Sequence, residues 1–566
     1  MKAIAAIPVV LVISCAVATA QETPLAINEA VEREVAVGTT RSYAIVLEAG
    51  DYVAGSIEQQ GMPVYAAVYL ADGTRLRGLP GPREGKRDFA FIAEVPGRYR
   101  LELRGPTPAE LSQSNTPAAT SGKYRLRLAE KLSFDDRLKP AARQDKYLSP
   151  TIESLRQLLA RGETSTDAFW QARAAAGTPI VEADDKDPQK RLVTFVWRGT
   201  PSTRNVVVLG SFGARTFADG AMTRLGESDL WYVTLRLPAG ARFAYGLSPN
   251  DPMTMDPPRA AQRMASMQSD PLNPNRWQCL PDASRYECMS MAELPGAPPQ
   301  PWIVRKEGTP AGTVDKHRIK SELLGNERNI SVYTPPGYRA GGTPSSLLVL
   351  FDEFAYLNAV PTPVILDNLI AAQKIPPTVA ILIANPSQET RSKELPPNPA
   401  FAEFLATELV PWVRARYTVT TDPAQTVVAG SSFGGIAATY AGLRHPELFG
   451  NILCQSGSFW WAPDHSAGPS ADATTETGWL AKEFIKSPKL PLRFWMDAGV
   501  FEVDTLGTGG AILEPSRHMR DVLLAKGYEV HYQQFASGHD YLNWRGTLGD
   551  GLVALIGRER AVPSSR

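Results

Sequence analysis

Cysteine and histidine are scarce in this 566-residue chain, and neither sign of charge is in excess; each shortage excludes something. Four cysteines and six histidines are present, and 59 basic residues balance 59 acidic ones. Without a net positive field, the counterion release that drives non-specific nucleic-acid binding has no source, so nucleic acid is set aside as a partner. Cys279 and Cys288 stand nine residues apart in a polar stretch. No second Cys or His pair accompanies them, which argues against a zinc site, while the spacing suits a small disulfide. Cys454, in the apolar run Asn451-Ile452-Leu453-Cys454, reads as a small buried hydrophobe. Apart from the amino-terminal run, no stretch approaches the eighteen uninterrupted apolar residues of a membrane span. No metal or cofactor motif is present, and none is expected.

What is present supports several cores. The chain is 43% hydrophobic, 21% charged and 8% aromatic, a globular composition at several times the length of one average domain. Residues 1–20 carry Lys2, a mostly apolar run and Ala18-Thr19-Ala20 ahead of Gln21. That is the pattern of a cleaved signal peptide, so a periplasmic or secreted protein is expected. A rival reading makes Cys15 the acylated residue of a lipoprotein signal. Three cysteines remain after Cys15, an odd number, and the one disulfide that they could form between Cys279 and Cys288 agrees with an exported chain.

Residues 21–132 are short alternating runs broken by Gly and Pro, such as RSYAIVLEAG and GKYRLRL. Period-two alternation with one wet face predicts a small antiparallel sandwich. Its VPGRYRLELRG ending resembles bacterial pre-peptidase C-terminal modules. A second unit, residues 149–295, opens with Ser149-Pro150 and an amphipathic run carrying Ile152, Leu155, Leu158 and Leu159. It continues into alternating strands that predict a sandwich of immunoglobulin-like size. Residues 251–301 lack a period and read as connector. Residues 300–560 change character: apolar runs such as SLLVLFD, TVAILIAN and LRFWMDAG alternate with helical stretches. This predicts a parallel sheet covered on both faces, and hence an α/β catalytic domain preceded by two all-β sandwich domains.

The strongest motif is Gly430-Ser431-Ser432-Phe433-Gly434, placed between the strand run TVVAG and the helical run IAATYAGLRHP. Strand, sharp turn and helix in that order make the nucleophile elbow of an α/β-hydrolase, with Ser432 as nucleophile. A serine needs a base, and among six histidines only His539 lies in the loop after the last strand, where this fold keeps it. The acid should follow a strand between the two. Asp497, Glu502 and Asp504 are offered there, with Glu502 ranked first and Asp504 second. Asp540, adjacent to His539, reads as a loop-shaping residue. Oxyanion donors are expected from the backbone N–H of Phe433 and from the loop after SLLVLFD, at Glu353 or Phe354, although no HGGG run is present.

The blocks VTFVWRG, MTRLGESDLWYVTLRLP and SDPLNPN resemble the N-terminal domain of enterochelin (enterobactin) esterases. VVAGSSFGGIAATYAGLRHPELFGNILCQSGSFWW, RSKELPPN, SGHDYLNWRG and VYTPPGY resemble their catalytic domain, within the esterase D superfamily. The resemblance covers about 400 residues. It implies hydrolysis of the trilactone of catechol-bearing siderophores to release iron, with iron entering as part of the substrate, and it favours Glu502 as the acid. The chain departs from the cytoplasmic members by its export signal and extra sandwich, and by Asp352-Glu353 where Asp-Gly is expected. Trp460 and Trp461 emerge past a strand end and could stack on catechol rings. Arg391 and Arg545 could meet an anionic catecholate complex, or could instead pair with Glu394 or Asp540. A feruloyl or acetyl carbohydrate esterase is the alternative, and a binding module that has retained the fold is a third reading, opposed by the intact Ser432 and His539.

Overall fold

The structure, a computed structural model, describes residues 22–79, 85–108, 110, 121–134, 149–212, 217–254, 257–277, 279, 282–463, 478–503 and 511–557. Residues 1–20, Cys15 and Asp504, on which three of the expectations fall, lie outside the described residues.

One compact unit comprises residues 1–139, 254–267 and 280–287. Its strands form a five-stranded and a four-stranded sheet. Strand Ser121–Leu132 shows why: burial alternates residue by residue, as SGKYRLRL predicts, with Tyr124, Leu126 and Leu128 inward. Inside, the Tyr43 and Tyr124 hydroxyls satisfy each other at 2.6 Å among Val53, Phe91 and Leu103. Two segments read from the sequence as connector belong to this unit. Glu287 takes a two-pronged ion pair from Arg75 at 2.7 and 2.9 Å, and Tyr286 donates to Glu94 at 2.5 Å.

The second unit holds the second sandwich and the α/β domain. Helix Pro150–Ala160 starts where predicted, with Ser149 Oγ accepting the Ile152 N–H at 3.0 Å. Two four-stranded sheets follow, and their inner faces meet through Phe195, Phe212, Phe243 and Tyr245, rings 4.9 to 6.2 Å apart. Cys279 and Cys288 are disulfide-bonded, with Cα atoms 5.1 Å apart. Cys454 is free and buried, its thiol pushed up to about 12 by burial.

The catalytic-domain sheet has eight strands: β1 Thr313–Ser321, β2 Asn326–Thr334, β3 Ser346–Phe351, β4 Thr378–Ile383, β5 Thr426–Ser431, β6 Asn451–Gln455, β7 Arg493–Gly499 and β8 Glu529–Phe535. Their order is β1-β2-β4-β3-β5-β6-β7-β8. β2 is antiparallel to both β1 and β4, and every pair beyond that is parallel. Every residue of β3, β4 and β5 is buried, as their unbroken apolar runs require of strands covered on both faces. One covering layer packs on Val349, Val428 and Ile452, the other on Leu348, Ala429 and Leu453. Parallel strands bring their carboxyl ends to one edge, and the candidate residues gather there.

Candidate active site

β5 ends at Ser431 and helix Phe433–Arg444 begins two residues later, so Ser432 alone makes the turn. Its φ of 59° and ψ of −122° lie outside the common regions for a side-chain-bearing residue. The turn is that tight because Gly430 passes Gly434: a Cβ on Gly430 would sit 2.6 Å from the Gly434 carbonyl carbon. The Ser432 N–H donates to the Gln455 carbonyl at 3.0 Å, which fixes the elbow to β6. Phe433 opens the helix, where an N–H has no acceptor within the helix itself.

β3, the neighbour of β5, ends in the same way. Asp352 has φ 59° and precedes helix Glu353–Asn358, so the Glu353 N–H is again the first of a helix. The Asp352 carboxylate accepts Arg391 Nε and Nη2 at 2.7 and 2.8 Å and Asn385 Nδ2 at 2.5 Å. The Asp352 charge is thus matched, and the residue that stands where a glycine was expected is Glu353. The Glu353 side chain faces elsewhere and accepts the Ser331 hydroxyl.

On the far side, Glu502 follows β7 and His539 follows β8. Glu502 Oε1 lies 2.9 Å from His539 Nδ1. Its second oxygen accepts the Gly499 N–H at 2.9 Å, and its carbonyl accepts from Ile512 and Leu513. The carboxylate is 1% exposed and the imidazole 41%, so one end of the pair is anchored and the other faces solvent. Edge-on contact with Trp544, ring centroids 4.9 Å apart at 90°, supports the imidazole. Asp497 stays inside β7, where it accepts the Ser456 N–H at 3.1 Å. Burial, reinforced by the charge of Glu502, pushes its carboxyl up to about 7. Asp540 caps helix Tyr541–Ile556 by accepting the Leu542 N–H at 2.9 Å, the loop-shaping part expected of it. Elsewhere, His317 meets Tyr417, His445 meets Glu447 and His531 meets Glu529.

Ser432, His539 and Glu502 share the wall of a cavity of about 450 Å³. Arg391, Phe433 and Trp460 form one side: the guanidinium lies 5.7 Å from the Phe433 ring, and Phe433 lies 5.8 Å from Trp460. Burial works against charge on Arg391, but the paired bonds to Asp352 outweigh it and raise its pKa above the usual value. Arg391 therefore reaches the cavity as half of a neutralised pair, with Asp352 rather than the expected Glu394, which is held by Arg328.

Two expected binding residues are elsewhere. Trp461 turns away from the cavity and packs edge-on against Trp479, 5.6 Å between centroids, at the border of the core. Arg545, one turn into its helix, donates to Gln300 Oε1 at 2.7 Å, lies 3.4 Å from Glu293 and covers the Trp277 ring at 4.9 Å. Neither lines the cavity. Sequence reasoning missed Ser458, whose hydroxyl lies 3.4 Å from Ser432 Oγ, and Gly210 and Ser211 of the second sandwich. Ser458 lies just beyond the end of β6, a position that could have singled it out; Ser211 carries no such signal.

The sequence model of the family described as "Putative esterase" matches residues 321–555, and that described as "Enterochelin esterase, N-terminal" matches residues 192–303. An iron(III) enterobactin esterase from Dickeya dadantii (strain 3937) is 32% identical over 445 residues, 72% of this chain and 97% of that protein. Ferric enterobactin esterase from Salmonella typhimurium superposes with a TM-score of 0.56 at 30% identity, covering 68% of this chain and 98% of that one. The enterobactin esterase from Shigella flexneri, solved in the presence of enterobactin, gives 0.54 at 28% identity, covering 69% and 98%.

Proposed function

The chain belongs to the enterochelin esterase family and is a carboxylic ester hydrolase, and from that premise we propose that it hydrolyses the trilactone esters of enterobactin-type catecholate siderophores through Ser432, His539 and Glu502. The observation that carries the catalytic part is the 2.9 Å bond from Glu502 to His539 Nδ1 in the cavity that also holds the Ser432 elbow. Glu502 fixes the tautomer that leaves Nε2 free to accept a proton. Ser432 Oγ attacks the ester carbonyl carbon while its proton passes to Nε2 of His539. The tetrahedral oxyanion accepts from the N–H groups of Phe433 and Glu353. Collapse breaks the ester C–O bond, and the proton on His539 goes to the departing seryl oxygen, which leaves as a hydroxyl. A water activated by the same imidazole then releases the acyl group and restores Ser432. Iron arrives as part of the substrate and leaves with the opened products.

Trp460 and Phe433 offer aromatic faces at the cavity wall for catechol rings. Residues 1–20 are proposed to direct export, so that the ferric complex is opened outside the cytoplasm; amino-terminal sequencing of the mature protein should begin at Gln21. The carbohydrate-esterase alternative has no comparable support, because the matched N-terminal model is that of enterochelin esterases. The test is product analysis by mass spectrometry with ferric enterobactin and a feruloylated sugar side by side: the first should be consumed in preference. A preference for the sugar would overturn the reading.

A further inference from the structure

The loop carrying His539 is held from outside its own domain. Gly538 lies so close to the second sandwich that a Cβ on it would fall 2.6 Å from Ser211 Cβ and 2.7 Å from the Ser211 carbonyl oxygen. Two residues before it, the Ala536 carbonyl accepts the Arg242 N–H of the sandwich at 2.9 Å. One residue after His539, the Asp540 carboxylate is met from the same side. Trp277 Nε1 donates to Oδ1 at 3.1 Å, and the Ser211 hydroxyl reaches Oδ2 at 3.5 Å. Oδ1 also caps the helix through the Leu542 N–H, so one oxygen joins sandwich, His539 loop and helix start. Trp277 is 8% exposed and packs with Ala244 and Leu542, which gives its indole N–H a fixed aim.

We propose that the second sandwich is a working part of the catalytic apparatus: Trp277, through Asp540, holds the backbone of His539 in the position from which its imidazole serves Ser432. Trp277 and Asp540 are positioning residues in this scheme, since neither lines the cavity. The inference rests on the reading of Ser432, His539 and Glu502 given above. The hold is a matter of hydrogen bonds more than of charge. Burial raises the Asp540 carboxyl above its usual range, and the one charged group beside it on the helix, Arg545, is engaged by Glu293 and Gln300. An imidazole displaced by a fraction of an ångström loses its alignment with the serine while the substrate's own contacts persist. The signature is therefore a fall in kcat with KM little changed.

Trp277→Phe keeps the ring and removes the donor. Asp540→Asn keeps an acceptor for Trp277 and Leu542 and adds an N–H that can meet Ser211, while Asp540→Ala removes the hold. With p-nitrophenyl acetate, Trp277→Phe and Asp540→Ala should each lower kcat about tenfold or more at unchanged KM. Both should slow labelling of Ser432 by a fluorophosphonate by the same factor, and Asp540→Asn should stay near wild type. Rates are taken per active site at a temperature where thermal melts show every variant folded. An unchanged kcat in Trp277→Phe, or an Asp540→Asn as impaired as Asp540→Ala, would overturn the proposal. If Trp277→Phe does not fold, the Asn and Ala pair at 540 decides alone. Ser432→Ala is run alongside: its retained turnover would instead remove the triad reading itself.

Discussion

The two halves of the site are built by opposite means. The Ser432 half is local: strand, one-residue turn and helix lie within residues 426–444, and the glycines that permit the turn are part of the same motif. The His539 half is assembled from a distance. Its acid comes from the loop after β7, its edge contact from Trp544 and its outer clamp from Ser211 and Trp277, 329 and 263 residues from Asp540 in sequence. A nucleophile can be fixed by its own neighbours, whereas a base must also satisfy an acid, a serine and a cavity at once. The difference predicts that damage to the first half is all-or-none and damage to the second is graded.

Ser432→Ala should therefore show the largest effect, a loss of about a millionfold in kcat with the fold intact. Retention of a few per cent of turnover would mean that the elbow does not carry the nucleophile. Glu502→Gln comes next, at about ten-thousandfold, because an amide can donate to Nδ1 and stabilise the wrong tautomer. A small loss there would hand the acid's part to another residue, and Asp497→Asn measured in parallel would show whether it is the nearest carboxylate. The Trp277 and Asp540 variants should fall well below both.

Arg391→Ala tests the cavity wall between the two halves. Its removal leaves the Asp352 carboxylate, 6% exposed, without its bidentate partner beside the helix that begins at Glu353. Losses in kcat/KM of similar size are expected on the ferric siderophore and on p-nitrophenyl acetate. A loss confined to the siderophore would make Arg391 a substrate-binding cation after all.

The smallest effect concerns Asp497, which lies between the halves, bonded to Ser456 and raised to about 7 by burial and by Glu502. A carboxyl whose folded pKa lies above its unfolded value binds more protons when folded. Its contribution to stability is complete below the unfolded value near 4 and is lost as pH rises towards 7. Thermal melts should thus show a stability decline between about pH 4 and 7 that is shallower in Asp497→Asn. Parallel profiles for the two proteins would mean that Asp497 does not titrate in this range.

What the sequence revealed follows the same division. Alternation along Ser121–Leu132 and the buried runs of β3 to β5 are periodic signals carried by each strand alone, so the sandwiches and the α/β sheet were legible. Ser432 and His539 could be singled out because the fold's chain order restricts where a nucleophile and base stand. Residues 254–267 and 280–287 were not legible as part of the first sandwich's unit, because their partners are remote: Glu287 meets Arg75, 212 residues away. Trp461 and Arg545 were misplaced for a related reason. Position past a strand end or in a first helical turn gives the neighbourhood, but the packing of Trp479 and Gln300 decides which way the side chain turns. Trp277 left no signal at all, since an indole N–H aimed at a carboxylate is set by how the sandwich meets the His539 loop.

Siderophore hydrolysis at Ser432 is best followed by incubating purified protein with ferric enterobactin and identifying the products by liquid chromatography and mass spectrometry, with Ser432→Ala as the paired control. Wild type should give linear and then monomeric catechoyl-serine products, each gaining one water per ester cut, and the variant none. Unchanged enterobactin in the presence of protein that a fluorophosphonate labels at Ser432 would contradict the siderophore reading.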